Sequence, residues 1–305
     1  MKIVCVEPLG MSKSFFEEKK QEYKEKGVAF EYYMDRDERV DVMAMRMYEA
    51  DIVIVSNIPL PAQLLSRCPQ LKMLSVAFTG LDHIDLAYCE AHQIKVRNAA
   101  GYSTTAVSEL AVGLMIDLLR DTHRCDRMTR AGEGRGTLIG SELRGRTVGV
   151  VGTGAIGIAT IRLLQAFGCR IVAYSRTEKE SVKEIGVTYM GLEDLMRVSD
   201  IVTLHVPLNE GTRHLINAHL IGLMKPTALL VNTARGGVVD TQALAGALRR
   251  ETIRGAAVDV YETEPPLDVN HPLLQAPNCI CLPHIGYATR EAFDIRADIV
   301  FKELV

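Results

Sequence analysis

The stretch TVGVVGTGAIGIATIRLLQAFGCRIVAY, residues 147–174, decides the fold. It opens as an apolar strand, passes through Gly152, Gly154 and Gly157 in GxGxxG spacing, continues as a helix and ends in a second apolar strand, RIVAY. In that order the three glycines have separate tasks. The first allows a tight turn, the second lets backbone approach a pyrophosphate, and the third lets the helix lie close to the strand. Ala155 and Ile156 belong to the same loop, where unpaired N–H groups at the helix start face phosphate. The expectation is a dinucleotide-binding βαβ unit. At the end of the second strand, where a carboxylate would hold the ribose 2′-OH of NAD, stand Ser175 and Arg176. Nothing there repels a 2′-phosphate and Arg176 can pair with one, so the reading is NAD or NADP with a tilt toward NADP.

Outward from this unit, short apolar runs alternate with helical patterns along the chain. They include KIVCV, DIVIV, LKMLSVA and IKVRN in the first third, and DIVTLHV, ALLVN, GAAVDV and CICLP later. Most are continuous rather than alternating, as in strands covered on both faces of a parallel sheet. The fold class expected is therefore α/β with doubly wound parallel sheets. Ser14 and Glu17 suggest a capping box for a first helix closed by Gly27. Residues 103–125 read as one long helix, apolar on much of its circumference, and 130–146 as an exposed arm. The run REAFDIRADIVFKELV predicts a C-terminal helix that ends while still apolar.

A chain of 305 residues has room for two domains. Its net charge of −3, without a basic stripe, argues against nucleic acid and a membrane surface as partners. The seven cysteines are odd in number and form no CxxC, so they read as free thiols in a reducing cytoplasm. The opening MKIVCVEPLG is too short in its apolar part for a signal peptide. No His, Cys, Asp or Glu set has metal-ligand spacing.

The stretch LLVNTARGGVVD, residues 229–240, sets Arg235 just past an apolar strand. Such an arginine needs solvent, a structural carboxylate or an anionic ligand, and ligands of open α/β sheets lie beyond the carboxyl ends of the strands. The ordered series GTGAIG, HVPLNEGTRHLI, NTARGGVVD, AVDVYETEPP and LPHIGYAT resembles the D-isomer-specific 2-hydroxyacid dehydrogenases, most densely from about residue 98 to 290. Within that family the likeness is to the glyoxylate/hydroxypyruvate reductases.

That resemblance implies a catalytic set of Arg235, Glu264 and His284. An arginine fork grips the carboxylate of a 2-oxo acid. Histidine donates the proton that accompanies hydride transfer, and a carboxylate orients it. It also implies cofactor contacts at His205, Val206, Pro207, Thr212, Thr233, Ala234, Asp259 and Gly286. Asn57 and the backbone around Phe78, Thr79 and Gly80 would meet the substrate, with the bulk of Phe78 unusual at its position. The implied organisation is a substrate-binding domain of residues 1–98 plus 284–305 and a dinucleotide-binding domain of residues 99–283, with the active site in the cleft and a homodimer formed through the second. Neither 55–60 nor 76–85 holds Lys or Arg. This favours a small unphosphorylated 2-oxo acid such as glyoxylate, hydroxypyruvate or pyruvate over a phosphorylated one. Two other readings stay open: a non-enzymatic NAD(H)-sensing corepressor and a formate or phosphite dehydrogenase. The family's tryptophan in the 130–146 arm is missing, since the chain has no Trp.

Overall fold

Runs such as Ile52–Val55 and Leu229–Asn232 are buried along their whole length. Only a strand covered on both faces allows that. A computed structural model describes residues 1–302 and residue 304. The chain divides into unit 1, Met1–Ser103 with Ala288–Val305, and unit 2, Thr104–Tyr287.

Unit 1 contains β1 (Lys2–Cys5), β2 (Ala29–Tyr32), β3 (Ile52–Val55), β4 (Met73–Val76) and β5 (Lys95–Asn98). All pair in parallel in the order β2-β1-β3-β4-β5, with Val4 opposite Val53 and Leu74 opposite Val96. This is a doubly wound sheet of the flavodoxin-like order. The sequence reading missed β2, an edge strand whose burial is interrupted by polar Glu31. Its first helix begins at Lys13, capped by Ser12 through Phe15 N at 3.2 Å, rather than by Ser14. Gly27 at φ +71° closes it as expected. The C-terminal helix Arg290–Phe301 belongs to this unit. Within it Arg296 is buried and donates to Ala77 O and Leu9 O, and Ser75 Oγ donates to Val300 O. The expected end of that helix reaches Glu303 and Val305, which lie outside the described residues.

Unit 2 contains β6 (Thr147–Val151), β7 (Arg170–Tyr174), β8 (Thr188–Tyr189), β9 (Ile201–Leu204), β10 (Leu229–Asn232), β11 (Gly255–Val258) and β12 (Cys279–Cys281). The parallel order is β12-β11-β10-β9-β6-β7-β8. Strand order reverses between β6 and β9, and that switch point is where dinucleotides bind in such sheets. Side chains alternate between two cores, Leu230 to one face and Leu229 and Val231 to the other. β8, two residues long, carried no pattern to read.

The helix expected over 103–125 is two helices, Thr104–Arg120 and Thr122–Arg130. Asp121 adopts the left-handed conformation at φ 52°. Asp117 Oδ1 accepts from Thr122 Oγ1 and His123 N, so the second helix takes its start from a carboxylate on the first. The unit boundary falls after Tyr287 rather than after Pro283, because Ile285 N and Gly286 N both donate to Asp259 of unit 2. The first boundary likewise falls at 103/104 rather than 98/99, because Ala99 N donates to Val76 O and Phe78 O of unit 1. Among the described residues no helix is long and apolar enough to cross a membrane.

Candidate active site

The turn after β6 is built by its glycines. Gly152 sits at φ +101°, and a Cβ there would stand 2.6 Å from His205 O. A Cβ on Gly157 would stand 2.0 Å from Gly152 O, so the helix Ala155–Ala166 reaches the loop only with glycine at that place. Gly154 is the N-cap and is exposed; a Cβ there would meet nothing. No side chain caps this helix, so its first N–H groups, at Ala155, Ile156 and Gly157, are left to an anion. Beneath them Thr153 is buried and accepts from Tyr189 Oη at 2.9 Å.

On the other side of the switch point, His205 follows β9. Its Nε2 meets Thr203 Oγ1 at 3.1 Å, and its Nδ1 is buried without a hydrogen-bond partner among the described residues. Burial pulls the His205 imidazole down to about 4, so it is neutral at ordinary pH. Val206 is half-buried and Pro207 exposed. Thr212 holds this loop in shape, its hydroxyl donating to Pro207 O and accepting from Asn209 N. At the end of β7, Ser175 is half-buried and Arg176 exposed.

Three adjacent strands, β10, β11 and β12, deliver the remaining candidates at their carboxyl ends. Asn232 ends β10, almost wholly buried. Its side chain accepts from Ala234 N at 3.0 Å and donates to Arg235 O at 2.9 Å, closing the turn that presents Arg235. The reading of the sequence passed over Asn232, although an asparagine between a strand and a turn is itself a turn signal. Arg235 is half-buried, and the tight turn Gly236–Val238 behind it needs glycine: a Cβ on Gly236 would fall 1.9 Å from Tyr261 C. Beside it Thr233 Oγ1 is buried without a partner among the described residues. An orphaned hydroxyl inside a protein is costly, and a polar ligand would satisfy it.

Asp259 follows β11 and is buried. Its Oδ1 accepts from Ile285 N at 2.8 Å and its Oδ2 from Gly286 N at 2.7 Å. Burial pushes its carboxyl upward while those two N–H groups hold it down. A Cβ on Gly286 would lie 2.9 Å from Asp259 Oδ2, so glycine permits the clamp. The clamp fixes the residue before it, His284, in the left-handed region at φ 59°. Strain of this kind costs about 1–3 kcal/mol and is kept where surrounding structure enforces it. Glu264, exposed, lies with both carboxylate oxygens 2.8 Å from His284 Nδ1. The ring of Tyr287 meets the imidazole edge-on at 5.3 Å.

In unit 1 the expected substrate loops look different from their reading in sequence. The Phe78 ring is buried and packs toward His83 and Tyr102, so its bulk belongs to the core of the unit. Thr79 is exposed and accepts from Asn98 Nδ2 at 2.7 Å through its carbonyl, and Gly80 is half-buried. The loop of Asn57 holds no basic residue of its own, but Arg36 reaches it from elsewhere, its Nη1 2.7 Å from Asn57 Oδ1. That guanidinium is also paired with Glu7 and Glu38.

The uncapped helix, the glycine turn and the orphaned Thr233 hydroxyl fit a dinucleotide lying along the carboxyl ends of the unit 2 sheet. Comparison with known proteins agrees. Residues 112–286 match the family described as D-isomer specific 2-hydroxyacid dehydrogenase, NAD binding domain. A glyoxylate reductase of Thermococcus litoralis is 38% identical over 270 residues, covering 86% of this chain and 81% of its own. Among solved structures, an acyclic imino acid reductase in complex with NADPH and D-Arg superposes with a TM-score of 0.89 at 27% identity, covering 98% of this chain and 94% of its own. A D-lactate dehydrogenase from Aquifex aeolicus complexed with NAD and lactic acid gives 0.85 at 30%, covering 98% and 93%. The chain belongs to the D-isomer specific 2-hydroxyacid dehydrogenase family and is an oxidoreductase of that type with a nicotinamide cofactor.

Proposed function

We propose that the chain reduces a small unphosphorylated 2-oxo acid, glyoxylate foremost, to the corresponding 2-hydroxy acid, and that it accepts NADPH. The observation that carries the reading is the set at the ends of β10, β11 and β12: Arg235 on a turn closed by Asn232, and His284 held by Asp259 and oriented by Glu264. When bound, the reduced nicotinamide supplies the hydride.

Arg235 holds the carboxylate of the substrate through its planar fork, which fixes the carbonyl in orientation. Glu264 can only accept, so the Nδ1 facing it carries a proton and Nε2 is the nitrogen that hands a proton to the carbonyl oxygen. Buried Asp259 keeps His284 in place from the backbone side. The cofactor is seated by the N–H groups of residues 155–157, and Thr233 Oγ1 and the backbone of Ala234 are offered to its nicotinamide end. Ser175 and Arg176 leave space and a positive charge for a 2′-phosphate.

The glyoxylate reductase relative supports the substrate class, and the NADPH complex among the structural neighbours is compatible with the cofactor choice. Family resemblance also supports a homodimer through the Thr104–Arg120 helix, and the free cysteines fit a cytoplasmic setting. A corepressor lacking turnover is the weaker reading, since the family model and the glyoxylate reductase relative support an enzyme of this type. Steady-state kinetics with glyoxylate, hydroxypyruvate, pyruvate and a phosphorylated 2-oxo acid, each with NADH and NADPH, test the proposal. Turnover of glyoxylate is expected, with NADPH at least equal to NADH. Absence of turnover with every unphosphorylated acid overturns it.

A further inference from the structure

Glu7 and Arg36 belong to no motif, yet they meet at the loop Ser56–Ile58. Glu7 follows β1 and is 2% exposed. Its Oε1 accepts from Ser56 N at 2.7 Å and Ile58 N at 3.4 Å. The main-chain amides on both sides of Asn57 are thus turned inward onto one buried carboxylate. Neither is left for a ligand. Glu7 Oε2 in turn takes Arg36 Nη1 at 2.5 Å, and that same nitrogen donates to Asn57 Oδ1 at 2.7 Å. The far side of the guanidinium is steadied by Glu38, which accepts from Arg36 Nε at 2.9 Å.

A guanidinium has donors only. The atom of Asn57 that faces it must therefore be the carbonyl oxygen, and the flip of the amide is determined by its neighbour. Nδ2 is then the end turned from Arg36, and it makes no hydrogen bond among the described residues. Beside the nearly buried Ser56 hydroxyl, this N–H₂ is the amide donor that the loop turns outward.

We propose that Glu7 and Arg36 are positioning residues that lock the side-chain amide of Asn57 with Nδ2 outward, so that this loop offers that donor to the substrate carboxylate. The inference rests on the reading above that the loop of Asn57 faces the substrate. It also explains how an arginine can stand at this loop without creating an anion site: its charge is matched by Glu7 and Glu38, and its role is to aim a neutral group.

The test compares Asn57→Asp, Arg36→Met and Arg36→Lys with the wild type, reading KM and kcat for glyoxylate, NADPH affinity by fluorescence, and thermal unfolding. Asn57→Asp gains an ion pair with Arg36 and should fold at least as well as wild type. It turns an acceptor and a negative charge toward the substrate, so KM should rise about tenfold or more, the scale of losing a hydrogen bond to a charged group, with NADPH affinity unchanged. Arg36→Met frees the amide to flip and should raise KM more than it lowers kcat. Arg36→Lys keeps a donor toward Asn57 and should recover part of that loss. An unchanged KM in Asn57→Asp, with the wild type active on glyoxylate, overturns this inference alone. A wild type inactive on every 2-oxo acid overturns the functional reading and this inference with it.

Discussion

His284 Nδ1 stands 2.8 Å from each carboxylate oxygen of Glu264, on an imidazole whose side chain is 10% exposed while the glutamate is 53% exposed. The carboxylate accepts and cannot donate, so it selects the tautomer of the histidine. Glu264→Gln keeps the shape but can present either oxygen or nitrogen. Its kcat for reduction should fall at least about tenfold, less than the roughly hundredfold or more of losing the acid itself because His284 remains, with NADPH affinity unchanged. A kcat within about twofold of wild type would remove Glu264 from the mechanism.

Arg235→Lys keeps the charge at the end of β10 and loses the two-pronged geometry. The turn closed by Asn232 through the backbone is untouched, so the variant should fold normally. It should raise KM and lower kcat together, by about tenfold or more in kcat/KM. Wild-type kinetics in this variant would show that Arg235 does not touch the substrate.

Ser175 and Arg176 follow β7, and neither is a carboxylate. Ser175→Asp places a negative charge where a 2′-phosphate would lie. The ratio of kcat/KM for NADPH over NADH should drop by about tenfold or more. If the ratio is unmoved, the 2′ position of the cofactor lies elsewhere.

His205 is held neutral in the folded chain down to about 4, whereas in the unfolded chain it takes a proton near about 6.5. Between those values the unfolded state binds more protons, so stability rises with pH. It is lost as pH falls from about 6.5 toward 4, by up to about 3 kcal/mol. His205→Asn removes that dependence. Urea midpoints at pH 7 and pH 4.5 should fall further in wild type than in the variant, and equal falls would count against the buried neutral histidine.

What could be read in the sequence is what local constraints write there. Gly157 is forced by Gly152 O, an atom of the same loop, and Gly152 by its own left-handed turn as well as by His205 O across the sheet, so their spacing alone carries the loop. The parallel sheets showed in continuous apolar runs, whereas β2 was lost because an edge strand need not be apolar throughout. Asp121 gave no sign of a break, since the left-handed turn there is set by contacts of Asp117 with the following helix. Glu7, Arg36 and Asn57 were invisible as a group because Arg36 stands 29 positions from Glu7 and 21 from Asn57, with no motif joining them. The hold of Asp259 on Ile285 and Gly286 spans 26 and 27 positions, and Asp259 and Gly286 were legible only as two separate motif residues.

The interrupted course of unit 1 sets an order of events during synthesis. Residues 1–103 emerge before unit 2, but Leu9 O, Ser75 Oγ and Tyr23 Oη meet Arg296, Val300 O and Phe301 O only once the helix Arg290–Phe301 has been made. At ordinary translation speed unit 2 takes roughly ten to forty seconds to be made in between. During that interval the first sheet waits with the apolar surface for its last helix uncovered, while unit 2, continuous in sequence, can close on itself. The unit begun before the other is thus finished after it, and its sheet is where the growing chain needs shielding in the meantime.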